Sequence, residues 1–142
     1  MAQGGQAVFH LEILTPERAF FLGEVQSIII PTPTGQMGIL RGHLPMVTSL
    51  EIGMIRIQQD DEWKEAFVSE GFADIHNDEV FLFAQAAEWP EEIDIRRAEI
   101  AEMRAKERLL RRLSQQEYAW STTALARARV RMRVGSHRPF EE

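Results

Sequence analysis

An all-β body followed by a helical hairpin is the architecture this sequence predicts, and three observations predict it. Up to Trp89-Pro90, short apolar segments of period two alternate with Gly, Pro, Asn and Asp turn signals, with no helix between them. From Glu91 to Arg133, Gly and Pro vanish and Ala, Leu, Glu and Arg dominate. The charge divides at the same place. Residues 1–90 carry 4 basic against 13 acidic side chains, a net −9, and residues 91–142 carry 12 against 9, a net +3. The expected domains are therefore 1–89 and 90–142, the first an antiparallel sandwich or barrel of nine or ten short strands.

The strands follow in order. Phe9, Leu11 and Ile13 alternate with His10, Glu12 and Leu14 as a half-buried strand. Thr15-Pro16-Glu17 marks a turn, and Arg18 to Leu22 a short strand that Gly23 is expected to end. Val25 to Ile30 is β-branched and apolar, with Pro31 and Pro33 expected to stop it. Gly35 and Gly38 bracket a reversal before Ile39-Leu40, and Val47 to Leu50 follows Pro45. Met54 to Gln58 is expected to pair across Asp60-Asp61 with Trp63 to Ser69. Gly71-Phe72 opens a strand that runs to the His76-Asn77-Asp78 turn, and Val80 to Ala84 reads as the last strand.

In the helical part Asp94 is placed as an N-cap after Pro90. Ala98, Ala101, Ala105, Leu109 and Leu113 recur every three or four residues, a stripe small enough for two helices to approach closely. Ser114-Gln115-Gln116 is the expected turn, and Leu125, Ala128 and Met132 line one side of a second helix. Gly135 is placed to end that helix and Pro139 to seal the stop. One long helix from Asp94 to Val134 competes with the hairpin, because 114–121 contains no breaker. Either way, so thin a segment depends on burying its apolar face against something else.

Composition sets bounds. There is no Cys, which removes disulfides and thiolate metal sites. The N-terminal Met1-Ala2-Gln3-Gly4-Gly5 has neither a basic region nor an apolar stretch, so no signal peptide is expected, and no run of 18 apolar residues exists to span a bilayer. From Ala119 to Phe140 there are five Arg and no acidic residue, which fits an acidic partner or an anionic ligand, or simply a solvated face. Nucleic acid is disfavoured, since the whole chain is acidic and its aromatics do not interleave with its arginines.

Several short signals occur in order along the chain: Thr15-Pro16-Glu17-Arg18, Gly23-Glu24-Val25, Pro31, Gly35-x-x-Gly38-Ile39-Leu40, His43-x-Pro45, Gly53 to Ile57, Gly71-Phe72, Ile93-Asp94-x-x-Arg97-Ala98 and Arg127-Ala128. With these, nearly the whole chain resembles the epsilon subunit of bacterial F-type ATP synthases. The resemblance implies a ten-stranded antiparallel sandwich, a C-terminal helix-turn-helix and a non-catalytic place in the rotating central stalk. The implied partners are the gamma subunit, the c-ring and the alpha and beta subunits, on the cytoplasmic face of the cell membrane and without insertion into it. It also implies a hairpin that either packs down or extends to inhibit ATP hydrolysis. Arg41, Leu44 and Met46 depart from the family's usual Pro, Ala and Leu.

In some family members the folded hairpin holds ATP through the Ile-Asp-x-x-Arg-Ala motif and further arginines. Carried onto this chain, that set is Glu88, Ile93, Asp94, Arg97, Ala98, Arg104, Arg127 and Arg131, with ATP as a regulatory ligand and no obligatory cofactor. Arg97 and Arg104 share a helical face at i, i+7, and Arg127 and Arg131 at i, i+4. Convergent guanidinium forks would call for an anion such as a triphosphate. The plainer roles are an N-cap for Asp94 and solvated arginines partnered by Glu91, Glu99 and Glu102. A stand-alone ATP-sensing module is the competing function, and a carbohydrate-handling sandwich enzyme fits poorly because no carboxylate pair lies in an aromatic cleft pattern.

Leu40, Leu44 and Met46 are large apolar side chains in a loop, which suits a partner unless they tuck into the sandwich end; the resemblance implies that this rim, with Arg41 and His43, is an interface with gamma or the c-ring. Trp89, Tyr118 and Trp120 are expected to fix the hairpin to the body; alternatively Tyr118 and Trp120 meet gamma when it extends. His10, His43, His76 and His137 lack ligand spacing, so no metal is expected. Gly35-x-x-Gly38 lacks the Lys-Ser/Thr of a phosphate loop, and no catalytic constellation is expected.

Overall fold

The computed structural model describes residues 7–136, and the expectations placed on Met1 to Gly5, His137 and Pro139 lie outside that range. The chain divides into two compact units, one ending at Glu88 and the next beginning at Trp89.

The first unit contains ten strands: β1 (Phe9–Leu14), β2 (Ala19–Val25), β3 (Ser27–Thr32), β4 (Gly35–Leu40), β5 (Met46–Leu50), β6 (Gly53–Gln59), β7 (Glu62–Val68), β8 (Gly71–Ile75), β9 (Glu79–Ala84) and β10 (Ala87–Glu88). They form two five-stranded sheets, ordered β2-β1-β9-β8-β5 and β10-β7-β6-β3-β4. Alternation sends Phe9, Leu11 and Ile13 inward from β1, Val80 and Leu82 from β9, and Ile28, Ile30, Ile55 and Ile57 from β3 and β6. Fully burying each of these is worth about 1.5–3 kcal/mol.

The sheets are not wholly antiparallel. β1 pairs with β9 in parallel, His10 opposite Glu79 through Leu14 opposite Phe83. The antiparallel rule belongs to hairpin neighbours, whereas β1 and β9 are distant in sequence and meet through the sheet's order. Four local expectations are also corrected. Gly35 and Gly38 do not bracket a reversal: both lie in β4, opposite Thr32 and Ile29 of β3. β2 runs through Gly23, which pairs with Leu11. β3 runs through Pro31: its ladder to β6 covers only Ser27 to Ile29, so the missing N–H leaves no bond to β6 unmade. Val80 to Ala84 is not the last strand, because β10 adds a two-residue ladder to β7.

Two turns show why their residues are there. Asp60 and Asp61 both take positive φ, 55° and 64°, the backbone of a two-residue hairpin whose twist matches its strands. At Gly71 a Cβ would collide with the backbone carbonyl of Phe83 on β9, so only glycine allows β8 to pair there. Between β6 and β7, Arg56 Nε sits 3.3 Å from Glu65 Oε2 as a cross-strand ion pair, with Glu65 buried.

The second unit begins with a short 3-10 turn, Pro90–Glu92, then α1 (Ile95–Leu109) and α2 (Gln115–Ser136). The chain therefore makes two helices rather than one. Ser114 and Glu117 form a capping box: the Glu117 N–H donates to Ser114 Oγ at 3.1 Å and the Ser114 N–H to Glu117 Oε1 at 3.2 Å. That Ser-x-x-Glu spacing starts α2 at Gln115, inside the segment expected to be turn. Gly135 does not end α2. It lies within the helix, and a Cβ there would stand 2.5 Å from Ile95 Cδ1 and 2.9 Å from Ile93 Cγ2, so its role is close packing.

Candidate functional site

The hairpin carries the first candidate. Asp94 caps α1: its Oδ1 accepts from the Arg97 N–H at 3.1 Å, and its carbonyl accepts from the Ala98 N–H at 3.0 Å. Ile93 closes the preceding 3-10 turn, its N–H donating to the Pro90 carbonyl at 3.2 Å. Motif residues 93, 94, 97 and 98 thus set the start of α1, with Ala98 turned inward and buried.

The register of the two helices decides what the arginines can do together. Arg129 Nε donates to Glu102 Oε2 at 3.2 Å, and Gly135 abuts Ile93 and Ile95, so the helices run antiparallel with 102 level with 129. Each residue advances about 100° around a helix. Glu102 is turned to one side of buried Ala98 and Ala105, while Arg97, Arg104 and Arg108 are turned to the other. On α2, Arg129 lies to one side of buried Ala128, and Arg127 and Arg131 to the other. Antiparallel helices meet like edge to like edge, so the Glu102–Arg129 contact on one edge places Arg97, Arg104, Arg108, Arg127 and Arg131 along the other. The inward stripe is also corrected: Ala101 is exposed and Glu102 half-buried, because an ideal helix turns past the expected position.

Arg97 and Arg104 are exposed, whereas Arg127 and Arg131 are half-buried and have contacts of their own. Arg108, on the same edge, was not among the expected residues; its i, i+4 spacing from Arg104 is the signal that finds it. Glu88 lies on β10 in the first unit, half-buried and opposite Phe67. A hollow of about 390 Å³ opens instead at the turn between the helices, lined by Leu109, Arg111, Arg112, Leu113, Ser114, Gln115 and Tyr118. None of the expected ATP residues lines it. Tyr118 and Trp120 are 55% and 62% exposed.

The second candidate lies on the first unit. The loop 41–45 does not tuck into the sandwich: Leu44 is 79% exposed, and Leu40 and Met46 on either side are exposed too. Gly42 holds the loop with φ 88° and donates its N–H to the Asn77 carbonyl at 2.7 Å, which fastens the loop to the turn between β8 and β9. His43 Nδ1 donates to the Leu44 carbonyl at 2.8 Å, so this imidazole shapes the loop.

Beside that loop lies the outer face of the β2-β1-β9-β8-β5 sheet, which holds an apolar strip that sequence reasoning missed. Leu22 is 61% exposed, Val47 67% and Phe72 47%, and Phe72 stacks on Phe83 with ring centroids 4.7 Å apart. Phe81 lies between His10 and His76, which meet its ring edge-on at 6.4 and 6.1 Å. Among the described residues there is no cluster of His, Asp and Glu arranged to hold a metal ion, and no helix is long and apolar enough to cross a membrane.

Comparison with known proteins covers both units. Residues 8–90 match the family model described as the ATP synthase Delta/Epsilon chain beta-sandwich domain, and residues 91–135 match the long alpha-helix domain of the same chain. The ATP synthase epsilon chain of Caldanaerobacter subterraneus subsp. tengcongensis is 49% identical over 129 residues, covering 90% of this chain and 94% of the relative. That of Ruminiclostridium cellulolyticum is 48% identical over 132 residues, covering 93% and 98%. In fold, the chain is similar to one in the mitochondrial ATP synthase OSCP/F1/c-ring structure of Euglena gracilis, with a TM-score of 0.77 and 23% identity, covering 87% of this chain and 78% of that one. It is also similar to one in the central stalk/c-ring structure of the Tetrahymena thermophila mitochondrial ATP synthase, with a TM-score of 0.67 and 13% identity, covering 92% and 98%.

Proposed function

This chain belongs to the ATP synthase delta/epsilon chain family, and from that premise we propose that it is a non-catalytic central-stalk subunit of an F-type ATP synthase, with a helical hairpin that restrains ATP hydrolysis. Its partners are the gamma subunit and the c-ring, with the alpha and beta subunits reached by the extended hairpin. It is held peripherally at the cytoplasmic face of the cell membrane as part of the complex. The apolar loop 40–46 and the adjoining strip of Leu22, Val47, Phe72 and Phe83 serve as the docking surface for gamma, since exposed apolar groups in one patch are costly until covered.

One observation supports the mobile hairpin above others: its buried side chains are mostly small. α1 buries Ala98 and Ala105, and α2 buries Ser121, Ala128 and Val134. Such a pair holds together weakly and can exchange one set of neighbours for another. The test is an assembled enzyme in which the chain stops after Glu88. Its ATP hydrolysis rate is expected to rise; an unchanged rate removes the inhibitory role.

The arginine edge favours ATP as a ligand of the folded hairpin. Arg97, Arg104, Arg127 and Arg131 offer guanidinium forks to a triphosphate from both helices, and ATP bound to that arrangement would stabilise the folded state by differential affinity. Titration of the chain with ATP, followed by Trp120 fluorescence, should saturate at millimolar ATP and be lost in Arg127→Ala. A flat response in both proteins removes ATP from the account while leaving the stalk role intact. Failure to co-purify with gamma would instead favour the stand-alone module.

A further inference from the structure

On the outer face of the β2-β1-β9-β8-β5 sheet, two histidines occupy matching positions either side of Phe81. On β1, His10 Nε2 is 2.7 Å from Glu12 Oε2. Just past the end of β8, His76 Nε2 is 3.2 Å from Asp74 Oδ1. Each imidazole thus faces a carboxylate two residues away in sequence, and both rings stand at a steep angle to the Phe81 ring, 66° and 79°. Register adds more negative charge. His10 stands opposite Glu24 on β2 and Glu79 on β9, and the His76 N–H donates to the Glu79 carbonyl at 2.8 Å beside Asp78. β5 contributes Val47 opposite Asp74, with no charge. The outward positions of these five strands hold no Lys or Arg; Arg41 and His43, in the loop fastened to Asn77, are the other charged or titratable groups at this end.

We infer that docking of the gamma subunit on this face takes up protons at His10 and His76, so that the subunit joins the stalk more tightly as pH falls. This rests on the assignment of the face to gamma. The face is apolar enough to be covered, yet covering it removes Glu12 and Asp74 from water. A carboxylate beside a neutral imidazole is buried as a net negative charge, whereas one beside an imidazolium is buried as a neutral pair. Imidazole is the side chain whose ordinary titration lies close enough to neutrality to make that change. Covering the face therefore favours the protonated histidines, and linkage requires the reverse: added protons favour covering the face.

The experiment is calorimetric titration of the full chain with its cognate gamma subunit, at pH 6.5 to 8, in phosphate and in Tris. The expected result is a binding heat that differs between the buffers by an uptake of between one and two protons. Affinity should fall with rising pH by up to about tenfold per unit for each proton taken up. His10→Gln/His76→Gln should flatten the pH dependence and leave binding weak throughout. Glu12→Gln/Asp74→Asn should flatten it the other way, with tight binding retained at pH 8, a rescue that a purely structural role would not give. Thermal melts of both double variants verify that the sandwich stays folded. Tight binding with buffer-independent heats overturns the proton uptake and leaves gamma docking standing, with gamma's own cations neutralising Glu12 and Asp74. Proton release overturns it as well. Absence of gamma binding at every pH overturns the docking assignment, and the proton uptake with it.

Discussion

The sandwich and the hairpin solve opposite packing problems. In the sandwich, two sheets enclose Phe9, Leu11, Ile13, Ile28, Ile30, Ile55, Ile57 and Leu82, all essentially without solvent contact. In the hairpin, alanine, serine and glycine let two helices close together, and the large side chains Leu110, Tyr118 and Trp120 remain in solvent. The first arrangement loses much if any strand leaves. The second loses little if the helices part, and exposed aromatics stay available to whatever the hairpin meets next. The contrast teaches that how firmly each unit holds together is set by side-chain size at the contact, because helical propensity in Glu91 to Arg133 is ample.

Substitutions of matched kind in the two units test this. Gly71→Ala should be the most damaging, since its methyl meets a backbone carbonyl that cannot move without breaking the β8–β9 ladder; a loss of roughly 3 kcal/mol or more is expected in urea unfolding of the sandwich. Gly135→Val drives methyls into Ile93 and Ile95 and should weaken the pairing of α1 and α2 by about 1–3 kcal/mol, measured as faster amide exchange along both helices. If it lowers the sandwich's own transition equally, the two units unfold as one and the contrast fails. Asp94→Ala removes the cap from α1 and should cost about 1 kcal/mol, visible as reduced helicity without change in the sandwich melt. The smallest effect is expected of Glu102→Gln. Arg129 is more than half exposed, so the pair is worth about 0.2–1 kcal/mol and less at high salt, read by repeating the exchange measurement in 1 M salt.

Local rules made most of the fold legible. Alternation and β-branched runs located most of the strands, though Gly35 to Gly38 of β4 read as a reversal, and Asp60-Asp61 announced its hairpin by residue type. What escaped depends on distant partners. Nothing in Phe9–Leu14 states that it will lie parallel to Glu79–Ala84, and Pro31 reads as a stop unless one knows that β6 has already left that part of β3. Gly135 reads as a terminator unless one knows that Ile95 is waiting opposite it. The Ser114-x-x-Glu117 box, by contrast, was readable and is purely local.

The sites divide in the same way. The cap at Asp94 follows from position alone, whereas the shared edge of Arg97, Arg104, Arg127 and Arg131 follows from a register that only Glu102, Arg129 and Gly135 reveal. The strip of Leu22, Val47, Phe72 and Phe83 was hidden because an apolar residue on the outer side of a strand resembles one on the inner side when both faces carry them, as in Glu79–Ala84.

The parallel seam between β1 and β9 has a consequence for synthesis. β1 lies between β2 and β9, so the sheet stays in two pieces until a strand roughly seventy residues downstream has emerged to join them. At ribosomal speeds of about 5–20 residues per second, β1 presents an open edge for several seconds. Its helical tail cannot be made until the sheet has its last seam within reach.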